Sequence, residues 1–187
     1  PIISKYSSHS PFSGEWLFQI SGDKLLLQTL DGATTIRTRM TSDDTIPKNT
    51  WLFVTATYDA SGVDEGISIF VDGVQLSTTG GGQDGSYVAM ENNWANVGIG
   101  STLWYGETSF SGFMDGKIDD ARIYNRVLSS EEVSRLYDLG ATTYINKTIT
   151  SNDALENGLV GHWTFDGPDI TADQILDRSG SGNHGGL

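Results

Sequence analysis

Carboxylate and amide side chains beside glycine-rich stretches are the residues of this sequence best suited to chemistry. Hard divalent cations take several oxygen ligands, and glycine lets backbone carbonyls converge on one point. The sequence therefore predicts a calcium site, and its candidate ligands are Asp166, Asp177, Asn183, Asp119 and Asp120.

The same five residues also have a purely structural interpretation. Their spacing is much looser than the ligand pattern of an EF-hand loop. Asp166 and Asp177 are of a residue type that commonly forms turns, and Asn183 tolerates a left-handed turn. Asp120 has Arg122 and Arg126 close by in sequence as ion-pair partners. Both interpretations stay open at the level of sequence.

Three large aromatic residues are candidates for binding a sugar. Trp94, Trp104 and Tyr105 fall in or beside predicted loops rather than at alternating strand positions. An aromatic ring offers an apolar face to the C–H groups of a sugar, while neighbouring polar side chains bind its hydroxyls. The alternative is that these rings cover sheet edges, because most aromatic side chains are buried.

The composition restricts the possible partners. The 187 residues carry 11 Lys and Arg against 24 Asp and Glu, a formal net charge of -13, so no basic patch exists for nucleic acid or an anionic membrane. No apolar run is long enough to insert into a bilayer. The chain has no cysteine, which favours an extracellular protein, secreted or at the cell surface, of bacterial origin, although a cytosolic protein can also lack cysteine.

Alternating apolar and polar residues predict an antiparallel meander of short strands. An Asp72-Gly73 turn predicts a hairpin between two of them. A loop is predicted over Thr102–Gly112. The predicted strands are Ile2–Tyr6, Glu15–Ile20, Lys24–Thr29, Thr34–Met40, Trp51–Tyr58, Gly66–Val71, Val74–Ser77 and Asn96–Gly100.

Two structural periods meet in one later segment. Residues Lys117–Tyr124 alternate as in a half-buried strand. Ser129 and Glu132 then stand in capping-box spacing, which predicts a helix that begins at Ser129. Gly140 is the predicted terminator of that helix.

This strand and helix, GKIDDARIYNRVLSSEEVSRLY, resemble the closing segment of the laminin-G-like domains of the concanavalin A-like lectin and glucanase superfamily. WLFVTATYDASGVDEGISIFVDGVQL is similar to the central hairpin of that family, and GLVGHWTFDG with DRSGSGNHGGL is similar to its opening segment. The resemblance implies an all-β chain, an antiparallel β-sandwich of the jelly-roll, concanavalin A-like type, with one short helix after the closing strand. It also implies calcium near the opening acidic residue, Asp166, and the Gly/Asn loop that follows.

Because the superfamily includes glucanases, we looked for the residues that a glycosidase needs. Retaining glycosidases use two carboxylates, which the glucanase strand supplies as Glu-x-Asp-x-x-Glu. The nearest segment here, Met114–Asp120, lacks both glutamates. His9, His162 and His184 are scattered, and no HExxH, GxSxG or phosphate-loop motif occurs. We therefore expect no enzymatic activity.

The segments resembling the family's end precede those resembling its beginning. We expect residues 1–140 to form most of a laminin-G-like sandwich lacking its opening strands, and residues 141–157 to form a linker. Residues 158–187 are then the opening segment of such a domain, docked on their own or a neighbouring sandwich. Leu159, Trp163 and Phe165 need a sheet to cover them, so they are the predicted assembly residues.

These observations predict a non-catalytic extracellular recognition or adhesion module that binds glycans or surface proteins and is stabilised by calcium. One alternative is a structural subunit of a filament or tandem array, which self-associates by donating its C-terminal strand to the next copy. Another alternative is an accessory carbohydrate-binding domain of a glycosidase. Neither nucleic acid nor membrane insertion is expected.

Overall fold

The computed structural model describes most of the chain as two compact units, Pro1–Gly116 and Lys117–Leu187. The described residues are 1–7, 13–31, 35–42, 46–81, 87–90, 92, 95–103, 110–141 and 154–187, with the backbone alone at 13, 35, 103, 110 and 141. The expected linker over 141–157 lies largely outside these ranges, so the domain boundaries placed there stay a prediction.

The first unit is built on a large sheet. Its strands are β1 (Ile3–Ser7), β2 (Ser13–Ser21), β3 (Lys24–Asp31), β4 (Thr35–Thr41), β8 (Thr78–Gly80), β9 (Gly98–Ile99), β10 (Thr102–Leu103) and β11 (Phe110–Ser111). The order in the sheet is β11-β10-β1-β2-β3-β4-β8, and β9 pairs with β1. Its pairs are antiparallel except β1 with β10. The predicted meander corresponds to β1 to β4.

A second sheet supplies the other layer of this unit. It consists of β5 (Val54–Tyr58), β6 (Ile67–Val71) and β7 (Val74–Gln75), with a 3-10 turn at Asp64–Gly66 before β6. Asp72 and Gly73 both have positive φ, 48° and 78°, as the two-residue hairpin turn requires, so the predicted hairpin is confirmed.

The core lies between the two sheets. Leu25 on β3 and Ile69 on β6 are 0% exposed, and they pack in one apolar cluster with Phe18, Leu27 and Ile67. Burial of these faces drives the two layers together, since each sheet is apolar on one side. The predicted all-β antiparallel sandwich is therefore confirmed.

Two sequence expectations about this unit are wrong. The strand expected at Trp51–Tyr58 begins only at Val54, and the Trp51 side chain is 66% exposed rather than part of an inner strand. The expected loop over Thr102–Gly112 starts and ends in short strands, because Thr102 pairs with Ser111. Periodicity cannot detect strands of only two residues.

The second unit contains the helix and the C-terminal tail. Its elements are β12 (Ala121–Tyr124), α1 (Ser130–Ala141), β13 (Leu159–Trp163), a 3-10 turn (Gly167–Asp169), β14 (Gln174–Ile175) and β15 (Gly185–Gly186). β12 pairs antiparallel with β13, and β14 with β15. In the described part of the chain, no helix is long and apolar enough to cross a bilayer.

The predicted capping box opens α1. The Ser129 N–H donates to Glu132 Oε2 (2.9 Å), and the Glu132 N–H donates to Ser129 Oγ (3.3 Å). The predicted stop is wrong, because α1 continues through Gly140 to Ala141. A glycine ends a helix when it adopts the left-handed conformation, and Gly140 is not among the described glycines with positive φ.

Candidate functional site

The candidate site lies in the second unit, where the C-terminal tail adds a strand to the closing strand of the same chain. In the ladder between β12 and β13, Ala121 is opposite Trp163 and Arg122 is opposite His162. Asp119 and Asp120 precede this ladder, because the strand expected from Lys117 begins at Ala121. The ladder therefore brings two segments distant in sequence into one site.

A polar cavity of about 350 Å³ opens beside the ladder. It gathers three of the five predicted calcium ligands and leaves out Asp177 and Asn183. The cavity is shallow and open to solvent, and it is lined mostly by charged and hydroxyl side chains, which suits a small polar ligand or a cation. Its lining residues are Asp119, Asp120, Arg122, Gly140, His162, Thr164 and Asp166.

Both oxygens of Asp120 are held by neighbouring side chains. His162 Nε2 lies 2.6 Å from Oδ1, and Arg122 donates from Nη2 to Oδ2 at 2.9 Å and from Nε to Oδ1 at 3.2 Å. Burial raises the pKa of Asp120, but the His162 hydrogen bond and the Arg122 charge outweigh it and lower the pKa. The predicted pairing of Asp120 with Arg122 is confirmed. This carboxylate is thus the least available of the three in the cavity.

The other two carboxylates of the cavity are more accessible. Asp119 is exposed, and its Oδ1 accepts the Asp120 N–H at 3.0 Å. Asp166 is also exposed, and its backbone N–H donates to Thr164 Oγ1 (3.2 Å) while its carbonyl accepts the Asp169 N–H (2.8 Å). These contacts fix the backbone around Asp119 and Asp166 and leave their carboxylates facing an open cavity.

The Asp177 carboxylate is occupied by donors from the protein itself. Oδ1 accepts the His162 N–H (2.9 Å) and the Ser179 N–H (2.8 Å), and Oδ2 accepts Ser179 Oγ–H (2.8 Å) and the Asn183 N–H (2.9 Å). The residue is only 8% exposed. Burial raises its pKa, but the hydrogen bonds from Ser179, His162 and Asn183 outweigh burial and lower it. Asp177 is therefore the centre of a hydrogen-bonded loop.

That loop covers the outer edge of β13. Besides the bond from His162 to Asp177, the His162 carbonyl accepts the Arg178 N–H (2.8 Å), and Asn183 Nδ2 donates to the Val160 carbonyl (2.7 Å). Backbone groups on an open strand edge would otherwise pair with another chain. The structure thus gives Asp177 and Asn183 a structural role, and metal ligation by them stays a prediction.

Comparison with known proteins decides the family. Residues 2–134 match a family model named Laminin_G_3 and described as the Concanavalin A-like lectin/glucanases superfamily. The chain belongs to this laminin-G-like family. The resemblance of the central hairpin and of the closing segment is thereby confirmed, because the match includes β12 and the start of α1, whereas residues 158–187 lie outside the match. No curated protein matches the laminin-G-like chain.

A solved structure with partial similarity is an S-layer domain-containing protein from Clostridium thermocellum ATCC 27405. It shares 15% sequence identity with the laminin-G-like chain at a TM-score of 0.35. The alignment covers 66% of this chain and 63% of the S-layer chain. A TM-score this low does not establish a shared topology.

The cavity of the laminin-G-like chain also contains residues that were not predicted from the sequence to line a binding site. His162 and Arg122 sit opposite each other in the ladder, and Thr164 donates from Oγ1 to Asp169 Oδ2 (2.6 Å). Asp169 is 4% exposed and forms an ion pair with Arg178. Strand alternation was the available signal for His162, since it must face opposite to the buried Trp163.

The predicted assembly residues lie within the ladder or beside it. Trp163 is 7% exposed, and its Nε1–H donates to the Asn183 carbonyl at 2.9 Å. Leu159 is half-buried opposite Tyr124. Phe165 is half-buried and has a φ of 55°, a strained value for a bulky residue, just after the strand ends. The tail is thus ordered against its own chain.

The structure does not describe the three residues predicted to bind a sugar. Trp94, Trp104 and Tyr105 lie outside the described residues, so their part in sugar binding stays a prediction. Among the residues that the structure describes, no group of three or more His, Asp or Glu side chains is arranged to hold a metal ion. A calcium site at the cavity would therefore need backbone carbonyls or ligand oxygens to complete it.

Proposed function

We propose that this chain is a non-catalytic recognition or adhesion module that acts outside the cell, binds glycans or surface proteins, and is stabilised by calcium. Membership of the laminin-G-like family supports an extracellular module. The observation that carries the proposal is the polar cavity of about 350 Å³ beside the ladder of β12 and β13. Its volume falls in the lower part of the range of small-molecule sites, roughly 300–1,000 Å³.

The chemistry of the cavity suits hydroxylated ligands. The carboxylates of Asp119 and Asp166 accept hydrogen bonds from sugar hydroxyls, and Thr164 keeps one free acceptor lone pair, because its proton is donated to Asp169. Arg122 adds a fixed cationic donor, which Asp120 holds in place. A ligand bound here would replace water with directional hydrogen bonds on several sides.

The same cavity fits calcium in part. Asp119 and Asp166 offer exposed carboxylates, whereas the oxygens of Asp120 and Asp177 are already engaged. Calcium bound at Asp119 and Asp166 would neutralise neighbouring negative charges in a chain whose net charge is -13. It would thereby stabilise the second unit and offer a ligand an additional electrophilic contact.

Thermal unfolding with calcium and with a chelator tests this part of the proposal. Calcium should raise the Tm, EDTA should lower it again, and Asp166→Ala should remove the response. Asp173→Ala is a matched control, because Asp173 is exposed in the same tail and does not line the cavity. An unchanged Tm of the unsubstituted chain in both solutions would refute calcium stabilisation.

A glycan array, read with calcium and with EDTA, tests recognition itself. We expect the chain to bind a glycan and Asp119→Ala to weaken that binding. Trp94→Ala or Trp104→Ala should also weaken binding if those rings stack on the sugar. Asp173→Ala again serves as the control. Absence of binding to any glycan would direct the search to surface proteins, and binding unaffected by Asp119→Ala and Asp166→Ala would place the site elsewhere.

A second candidate function is assembly by strand donation, and the ladder of β12 and β13 favours it. The same backbone pairing can form between copies if β13 leaves its own chain, because an exchanged strand makes identical contacts. Light scattering should then show oligomers that grow with concentration and vanish when residues 158–187 are deleted. A monomer at all concentrations would exclude exchange.

An accessory domain of a glycosidase would differ from the first proposal only in its neighbours.

A further inference from the structure

An amine, a carboxamide and a carboxylate meet in the first unit. Lys5 Nζ donates to Asn92 Oδ1 at 2.8 Å, and the same Nζ forms an ion pair with Glu15 Oε1. Lys5 lies on β1 and Glu15 on β2, while Asn92 lies in the segment before β9. The three groups are those needed to form an amide between two side chains.

A bulge explains why Glu15 can reach Lys5. Lys5 is opposite Trp16 and Tyr6 is opposite Gly14 in the ladder, so Glu15 is the extra residue of a β-bulge in β2. Regular alternation would send Glu15 and Trp16 to opposite faces, and a bulge re-aims the extra residue. Gly14 lets the Tyr6 ring pack against the bulge, because a Cβ at Gly14 would lie 2.4 Å from Cδ2 of that ring.

The ion pair is partly withdrawn from water, whereas Asn92 is exposed at the surface. The side chains of Lys5 and Glu15 are only 17% and 12% exposed. Glu15 is in contact with Nζ and is therefore placed to take a proton from it. The neutral amine is the nucleophilic form of lysine.

From this geometry we infer that the chain forms an intramolecular isopeptide bond between Lys5 Nζ and Asn92 Cγ. Glu15 accepts a proton from the ammonium, and the lone pair of Nζ attacks Cγ while the carbonyl π electrons move to Oδ1. Glu15 then donates its proton to Nδ2, takes another from Nζ, and the bond from Cγ to Nδ2 breaks as the carbonyl re-forms. One ammonia leaves with that electron pair, and no oxidant or further reactant is needed.

The bond would link β1 to a segment 87 residues away in sequence. A cross-link that closes so long a loop restrains the unfolded chain, as a disulfide does. The chain has no cysteine and so no disulfide of its own. An isopeptide bond would supply the covalent restraint that an exposed extracellular module otherwise obtains from disulfides.

The intact mass of the purified, denatured full chain tests the inference directly. We expect a mass lower than that of the sequence by one ammonia, and a digest should contain a branched peptide joining Lys5 to Asn92. A mass equal to that of the sequence, with no branched peptide, would overturn the inference and leave a polar contact only. This measurement needs no variant and therefore does not depend on a variant folding.

Variants then assign the roles. Lys5→Arg keeps the positive charge but removes the nucleophile, so the full mass should return, and Glu15→Gln should slow or prevent the loss of ammonia. Lys24→Arg, on β3, is the matched control and should retain the loss. A succinimide at asparagine also loses ammonia, but it would persist in Lys5→Arg and give no branched peptide, which would count against the isopeptide bond.

Discussion

Replacement of Asp177 by alanine separates a structural carboxylate from a metal ligand. The substitution removes the acceptor of four hydrogen bonds at 2.8–2.9 Å. The His162 N–H loses its partner on a strand edge, at a cost of about 1–3 kcal/mol. Donors at Ser179 and Asn183 lie in an exposed loop where water can replace the carboxylate, so each adds only about 0.5–1 kcal/mol. The four bonds together give a loss of about 2.5–6 kcal/mol, and we expect about 4 kcal/mol from the second unit.

Urea unfolding followed by tryptophan fluorescence measures this loss, because the buried Trp163 ring is anchored to the same loop through Asn183. The experiment is run in EDTA, and Asp173→Ala provides the control for loss of one exposed tail carboxylate. The pH dependence is a second readout. The folded pKa of Asp177 lies below its ordinary value of 3.8, so its contribution is present above that value and lost as the pH falls through the folded pKa.

The calcium hypothesis for Asp177 predicts a different result. A residue that acts only as a metal ligand would cost stability only when calcium is present, and Asp177→Ala would unfold like the unsubstituted chain in EDTA. That outcome would refute the role of the loop as a cap on β13. Equal destabilisation with and without calcium is the result expected from the hydrogen bonds.

Further predictions concern packing and charge in the second unit. Gly161→Ala should destabilise the second unit by about 1–3 kcal/mol, because a Cβ at Gly161 would lie 2.4 Å from Cη2 of the buried Trp163. Gly186→Ala is the control: a Cβ at Gly186 meets no atom within 4 Å, so thermal unfolding should be unchanged. Arg126→Lys should lower the Tm, because Arg126 makes a bidentate pair with Glu132 at 2.7 and 2.8 Å. That pair lowers the pKa of Glu132 to about 2 from 4.5, so its stabilisation is present above pH 4.5 and lost as the pH falls toward 2. Glu132→Gln should flatten the stability curve in that interval, and an unchanged curve would contradict this assignment.

Local signals in the sequence predicted the elements that local chemistry controls. Ser129 and Glu132 specify the start of α1 because both bonds of the capping box lie within one turn, and Asp72-Gly73 specifies a hairpin because its residues accept positive φ. Gly140 was misleading because a glycine permits a helix to end but does not force it. The sandwich itself followed from alternation and from the resemblance to laminin-G-like domains.

The site was harder to predict because it depends on which strands meet. Asp120 and Asp166 are distant in sequence, and only the pairing of β12 with β13 brings them to one cavity. The roles of Asp177 and Asn183 depend on the backbone of β13, whose outer edge they cover, and no residue pattern shows an edge. A calcium ligand and an edge cap use the same residue types, so composition could not separate them.

We propose that a ligand or ion binds at the cavity rather than at the glycine-rich loop. Amide chemical shifts recorded by NMR while calcium is added to the full chain test this most directly. We predict that the largest shifts fall at Asp119–Arg122 and Thr164–Asp166, with Asp177–Asn183 little changed. Largest shifts within Asp177–Asn183, or no shift at any amide, would contradict the assignment.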